Sequence, residues 1–65
     1  MTPKQIYNRT RVQFGSRANF ISAVAQLMGV AESTVRGWTA GRPCAKDTAD
    51  LLVIRLRESG YVVND

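Results

Sequence analysis

The sequence predicts an all-α fold, a small domain of four short helices followed by a short C-terminal tail. Its 65 residues allow one domain and contain no linker to a second. Hydrophobic residues make up 45% of the chain and charged residues 22%, which is typical of a folded domain rather than a disordered segment. Apolar residues recur at helical spacing, and glycine, proline or capping residues separate the apolar stretches.

The first helix has a start pattern at the N-terminus of the chain. Thr2 can cap the helix, Pro3 suits the first helical position, and Gln5 completes a capping box three residues after Thr2. The pattern predicts a helix over about 3–13. Ser16 follows a glycine and is placed to cap the next helix.

The second and third helices are separated by a very short connection. Helix 2 is predicted over about 17–28 and ends at Gly29, a residue suited to a left-handed conformation. Helix 3 is predicted over 32–40, with Glu32 near the positive end of the helix dipole. The apolar stripe of helix 2 consists of Phe20, Val24, Leu27 and Met28.

The last helix is predicted to begin at Lys46 or Asp47 and to end at Ser59-Gly60. A short tail with strand propensity follows, too short to form a strand alone. The expected core face of this helix consists of Ala45, Ala49, Leu52, Val53 and Leu56.

The net charge of +4 is unevenly distributed along the chain. Residues 1–46 carry seven cationic side chains and one carboxylate, whereas residues 47–65 carry two cations and four carboxylates. Any polyanionic partner, such as nucleic acid, is therefore expected to bind residues before position 47. The alternative is a basic surface that is merely solvated.

Five spaced residues in helix 2, the turn and helix 3 are suited to packing the two helices together. A small residue at Ala25 allows a second helix to cross closely, and Gly29 permits the tight turn. Val30, Val35 and Trp38 can pack helix 3 onto helix 2 and the core. This pattern predicts two helices joined by a tight turn.

The segment AQLMGVAESTVRGWTAG resembles the helix-turn-helix of phage repressors and Cro-type proteins. The resemblance implies a lambda-repressor-like domain over 1–65, with the motif at about 17–41 and DNA as the partner. The alternative is a helical hairpin in which Val35 and Trp38 serve only the core.

The sequence departs from the family pattern at two positions. Ile21 stands where the family often has glutamine or another polar residue that touches phosphate, and Ala31 replaces the usual polar cap of the recognition helix. Loss of the cap costs about 1 kcal/mol of local stability, and Gly37 within the helix costs up to about 1 kcal/mol more. We therefore expect helix 3 to be loose without DNA.

The resemblance implies that helix 3 enters the major groove. Arg36 is the leading candidate for base readout, because a guanidinium can bond guanine O6 and N7 together; the alternatives are a phosphate contact or a solvated charge. We expect Gly37 to face outward and allow close approach to the bases, and Thr34 to be half-buried. The candidates for base readout are Glu32, Ser33, Arg36 and Gly37. The candidates for phosphate contact are Arg17, Asn19, Thr34, Arg42 and Lys46.

The segment 46–65 carries more apolar residues than one helix face needs, which predicts a homodimer. A two-fold dimer would set two recognition helices about 34 Å apart and read an inverted repeat. The alternative is a tail that folds back on its own chain. The dimerisation candidates are Leu51, Ile54, Tyr61, Val62 and Val63.

Several function classes are disfavoured. The chain has no histidine and one cysteine, Cys44, so no catalytic, metal or cofactor site is expected, and no small-molecule effector is evident. No apolar run has the roughly 20 residues of a membrane span.

We expect a complete, non-enzymatic chain in the cytoplasm of a prokaryotic or phage-infected cell, associated with the nucleoid. The leading interpretation is a DNA-binding repressor; the alternatives are an architectural protein of the excisionase type, or a protein-binding module such as an antitoxin or small inhibitor.

Overall fold

The structure, a computed structural model that describes residues 1–64, consists of four α-helices and an irregular C-terminal tail. This confirms the predicted all-α, four-helix fold. Asp65, which the predicted domain includes, lies outside the described residues. The helices are α1 (Pro3–Phe14), α2 (Arg17–Met28), α3 (Glu32–Thr39) and α4 (Thr48–Glu58).

The helix starts and ends follow from local hydrogen bonding. The capping box forms as predicted: Thr2 Oγ1 accepts from the Gln5 backbone N–H at 3.2 Å, and the Thr2 N–H donates to Gln5 Oε1 at 2.8 Å. Ser16 Oγ accepts from the Asn19 N–H at 3.1 Å and caps α2. Gly29 ends α2 at φ +67°, in the left-handed region that favours glycine.

The helices α1 and α2 form the centre of the domain. They contact each other, and both contact α3 and α4. Within residues 1–64, no Cα atom of α3 lies within 8 Å of one in α4. The outer faces of α3 and α4 are therefore separate surfaces. The fully buried apolar core consists of Ile6, Phe20, Val24, Val35, Leu52 and Leu56.

The helix α4 begins one residue after the predicted Asp47, which is its N-cap. Thr48 N–H donates to the Ala45 carbonyl at 3.1 Å, a turn that delays the helix to Thr48. Ala45 is exposed before this turn, so its assignment to the core face is wrong, whereas Ala49 is buried as expected.

Among residues 1–64, no helix has both the length and the apolar character needed to cross a membrane.

The C-terminal tail packs against its own chain and is hydrogen-bonded to it. Val63 is buried in the core with 4% of its surface exposed, and the Tyr61 ring stacks on Phe14 with centroids 4.3 Å apart. The Gln13 side-chain amide pairs with the Val62 backbone: Nε2 donates to the carbonyl at 2.7 Å and Oε1 accepts from the N–H at 2.8 Å.

This arrangement corrects one expectation about the tail. Val63 was expected at a dimer contact, but its side chain is enclosed by its own core, and Tyr61 is half-buried against Phe14. Arg57 Nη2 also donates to the Val63 carbonyl at 2.7 Å. The tail folds back on its own chain, which was the alternative, and only Val62 of its apolar residues remains exposed among those described, at 61%.

Candidate nucleic-acid interface

The helix pair α2–α3 packs through the spaced residues of the motif. Ala25, Val35 and Trp38 are buried, so Trp38 anchors α3 in the core, as predicted. The N-cap of α3 is Ala31, whose backbone is extended as a cap requires but which has no polar side chain to bond the helix N–H groups. The exposed residues of α3 are Glu32, Ser33, Thr34 and Arg36, and Ala31 and Ala40 on either side of the helix are exposed as well.

Two expectations about α3 are wrong. Gly37 does not face outward, because it is buried beneath the side chain of Arg42. Thr34 is exposed rather than half-buried. Gly37 therefore offers no bare surface to a base, while the Thr34 hydroxyl is available to a ligand.

Three arginines line one groove beside the exposed face of α3. The groove has a volume of about 370 Å³ and is lined by Arg17, Ser33, Arg36, Gly37, Ala40 and Arg42. The Arg17 side chain reaches α3 from the start of α2, where its Nε donates to Thr39 Oγ1 at 3.0 Å. The Thr39 hydroxyl in turn donates to the Arg36 carbonyl at 2.7 Å. Arg17 is thus held against α3 by a threonine of the helix itself.

A second groove continues from the first on the other side of Arg42. It has a volume of about 550 Å³, lies between the N-terminus and the loop after α3, and shares Ala40 and Arg42 with the first groove. Lys4 and Lys46 also line it, and the Lys4 chain covers Gly41. We call the five cations of the two grooves the basic strip: Lys4, Arg17, Arg36, Arg42 and Lys46.

The charged side chains of the basic strip are all positive. Among residues 1–64, no carboxylate lines either groove. The guanidiniums of Arg36 and Arg42 have no hydrogen-bond or ion-pair partner within that described part of the chain. Grouped like charges repel one another unless an anion lies between them, so the strip favours a polyanionic ligand.

Two other residues of the motif lie away from the strip. Asn19 is separated from Arg17 by about 200° around α2, and its side-chain Nδ2 donates to the Phe14 carbonyl at 3.0 Å. Its amide is therefore used in the α1–α2 connection, and Asn19 lines a different groove with Gln13 and Tyr61. Ile21 is buried with 5% exposure, so packing replaces the polar contact expected at this place in the motif.

The exposed apolar residues of α4 lie on another part of the molecule. Leu51 and Ile54 are 42% and 53% exposed. A groove beside Ile54 is lined by Met1, Ala49, Asp50, Val53, Ile54 and Arg57. This groove shares Met1 and Ala49 with the second groove of the basic strip, whereas the groove beside α3 shares no lining residue with it.

Thr39 and Lys4 are not among the residues that the sequence predicts at this interface. A threonine three residues after Arg36 in the last turn of a short helix can bond a backbone carbonyl, and this local pattern could have identified it. Nothing local indicates that Lys4 lies beside the loop after α3, since that proximity depends on how α1 packs on α3.

No group of three histidine, cysteine, aspartate or glutamate side chains that could hold a metal ion occurs within residues 1–64. Comparison of this chain with protein-family models, with curated proteins and with solved structures found no match.

Proposed function

We propose that this chain is a sequence-specific DNA-binding regulator, a small repressor that binds an inverted-repeat operator as a homodimer. The observation that carries the proposal is the basic strip, in which cations from α1, α2, α3 and the following loop line two joined grooves beside the exposed face of α3. A row of cations without carboxylates matches the phosphate backbone of DNA, which supplies most of the electrostatic affinity.

The dimensions of α3 support its insertion into the major groove. A helix with its side chains is about 10–12 Å across, which fits a groove about 12 Å wide, and the eight residues of α3 extend over about 12 Å along the helix axis. Arg36 is exposed on this helix with Ser33 one turn before it. Arg36 reads a guanine through O6 and N7, and Ser33 and Thr34 contact a base edge or a nearby phosphate. Glu32 is a further candidate at the N-terminus, where it also complements the helix dipole.

The remaining cations of the strip contact phosphates. Arg17 and Arg42 flank the groove next to Arg36, while Lys4 and Lys46 extend the strip away from α3. Phosphate contacts position a protein on the duplex without reading its sequence. Specificity therefore depends on α3, and affinity and salt dependence depend on the strip as a whole.

The dimer interface is the exposed face of α4. Ile54 lies near the middle of this face, with Asp50 and Arg57 seven residues apart on the same side of the helix. In an antiparallel pairing across a two-fold axis near Ile54, Asp50 of one copy comes level with Arg57 of the other. The pairing buries Leu51 and Ile54 and is complementary in charge.

The test is selection of bound sites from random duplex DNA, followed by affinity measurements on variants. We expect an inverted repeat with half-site centres about one helical turn apart. Arg36→Ala should relax base preference at one position and cost about 1–3 kcal/mol, whereas Arg42→Ala should weaken all sequences alike and reduce the salt slope by about one. Arg9→Ala, at an exposed cation of α1 that lines neither groove, is the matched charge control and should leave both unchanged.

Other outcomes would point to other functions. If neither Arg36→Ala nor Arg42→Ala changes DNA affinity, the protein-binding interpretation replaces this one. Strong bending over several clustered sites would favour an architectural role. The proposal also places the protein in the cytoplasm of a prokaryotic or phage-infected cell, where its exposed free Cys44 thiol would stay reduced.

A further inference from the structure

Gly37 lies directly beneath the side chain of Arg42. A Cβ atom placed on Gly37 would lie 2.9 Å from Arg42 Cδ and 3.6 Å from its Cγ. The chain returns to α3 through Gly41, at φ +92°, and the Arg42 N–H donates to the Gly37 carbonyl at 3.0 Å. The aliphatic part of Arg42 therefore occupies the space that any side chain at position 37 would need.

This packing holds the Arg42 side chain at the groove that Arg17 and Arg36 also line. Arg17 is held on the same groove by its bond to Thr39. A side chain that is already held loses less conformational freedom when it binds a ligand. Two arginines restrained in this way can each present several N–H donors to a phosphate group.

We propose that Gly37 is a positioning residue, and that it lets Arg42 lie across α3 so that Arg42 and Arg17 each contact a backbone phosphate of DNA at the groove they share. This inference rests on the proposed DNA-binding function. It assigns Gly37 a role through Arg42 rather than a contact with a base.

The variant Gly37→Ala is expected to change DNA binding without lowering the stability of the fold. Gly37→Ala places a better helix former in α3, so the thermal midpoint should stay the same or rise. The new methyl group displaces Arg42 from Cδ outward, because that end of a flexible side chain yields more easily than backbone. The variant is therefore expected to be at least as stable as the parent chain but to lose the Arg42 contact.

The experiment is a double-mutant cycle on the selected duplex, with affinity measured over a series of salt concentrations. The four chains are the parent, Gly37→Ala, Arg42→Ala and the double variant. Each single variant should reduce the salt slope by about 0.9. The loss of affinity between about 50 and 200 mM salt is then about 3.5-fold smaller in the variant than in the parent chain. The double variant should match Arg42→Ala, because Gly37 acts only through that arginine.

Two results would overturn the inference. One is an unchanged salt slope in Gly37→Ala; the other is a double variant whose loss equals the sum of the two single losses. In the free protein, nuclear Overhauser effects between Gly37 Hα and Arg42 Hδ test the packing without DNA, and their absence would also refute it. If the parent chain binds no duplex while these effects are present, the proposed function and the phosphate role fail together, and only the packing stands.

Discussion

Val63 in the tail offers a direct test of how this chain completes its core. The side chain is 4% exposed, whereas its neighbour Val62 is 61% exposed. Val63→Ala removes two buried carbon groups worth about 0.8 kcal/mol each, and the cavity left behind raises the loss to about 2 kcal/mol. Val62→Ala is the matched control, and its expected change is within about 0.5 kcal/mol.

The loss from Val63→Ala is large for a domain of this size. A chain of 65 residues has a free energy of unfolding of roughly 3–10 kcal/mol, and a loss of about 2 kcal/mol lowers the thermal midpoint by roughly 8–16 °C. Circular dichroism during heating and urea denaturation measures both variants. Equal losses in Val62→Ala and Val63→Ala would refute the buried position. A difference between Val63→Ala and the parent that changes with protein concentration would instead place Val63 between subunits.

Two further predictions concern α4 and α3. Ile54→Glu should convert the dimer to a monomer in analytical ultracentrifugation, because it places a charge on the apolar face of α4, whereas Val12→Glu, at a residue 86% exposed on α1, should leave the dimer intact. A parent chain that is monomeric at high micromolar concentration would exclude the proposed dimer. Ala31→Ser should add about 1 kcal/mol of stability and slow amide exchange throughout α3, because a hydroxyl can then cap the helix. Exchange in α3 of the parent as slow as in α2 would contradict the expectation that α3 is loose.

The helix bounds were largely predictable because their causes are local. The Thr2–Gln5 capping box and the left-handed Gly29 involve residues within one turn of the helix end. The beginning of α4 was less predictable, because Asp47 suits a helix start by composition but makes no side-chain cap bond within the described chain. A turn through the Ala45 carbonyl decides the start instead.

The candidate site was only partly predictable. Arg17, Arg36 and Arg42 were all expected at the interface from their charge and their place around the motif, and the structure brings these three to one groove. Asn19 was expected at the interface for the same reason, but it lies on the opposite side of α2, where its side-chain amide donates to the Phe14 carbonyl. Residue type and proximity along the chain do not determine which neighbour a polar side chain bonds.

The amino-acid sequence alone determined the four helices, the tight turn at Gly29 and the concentration of positive charge before residue 47, because propensity, capping and periodicity act over a few residues. Tertiary structure decided that the tail closes on Gln13, 49 residues away in the chain, and that Arg17 is held by Thr39, 22 residues away. It also decided that Gly37 is covered by Arg42. Such contacts depend on how helices pack, and packing depends on the shapes of many side chains at once rather than on the spacing of a few.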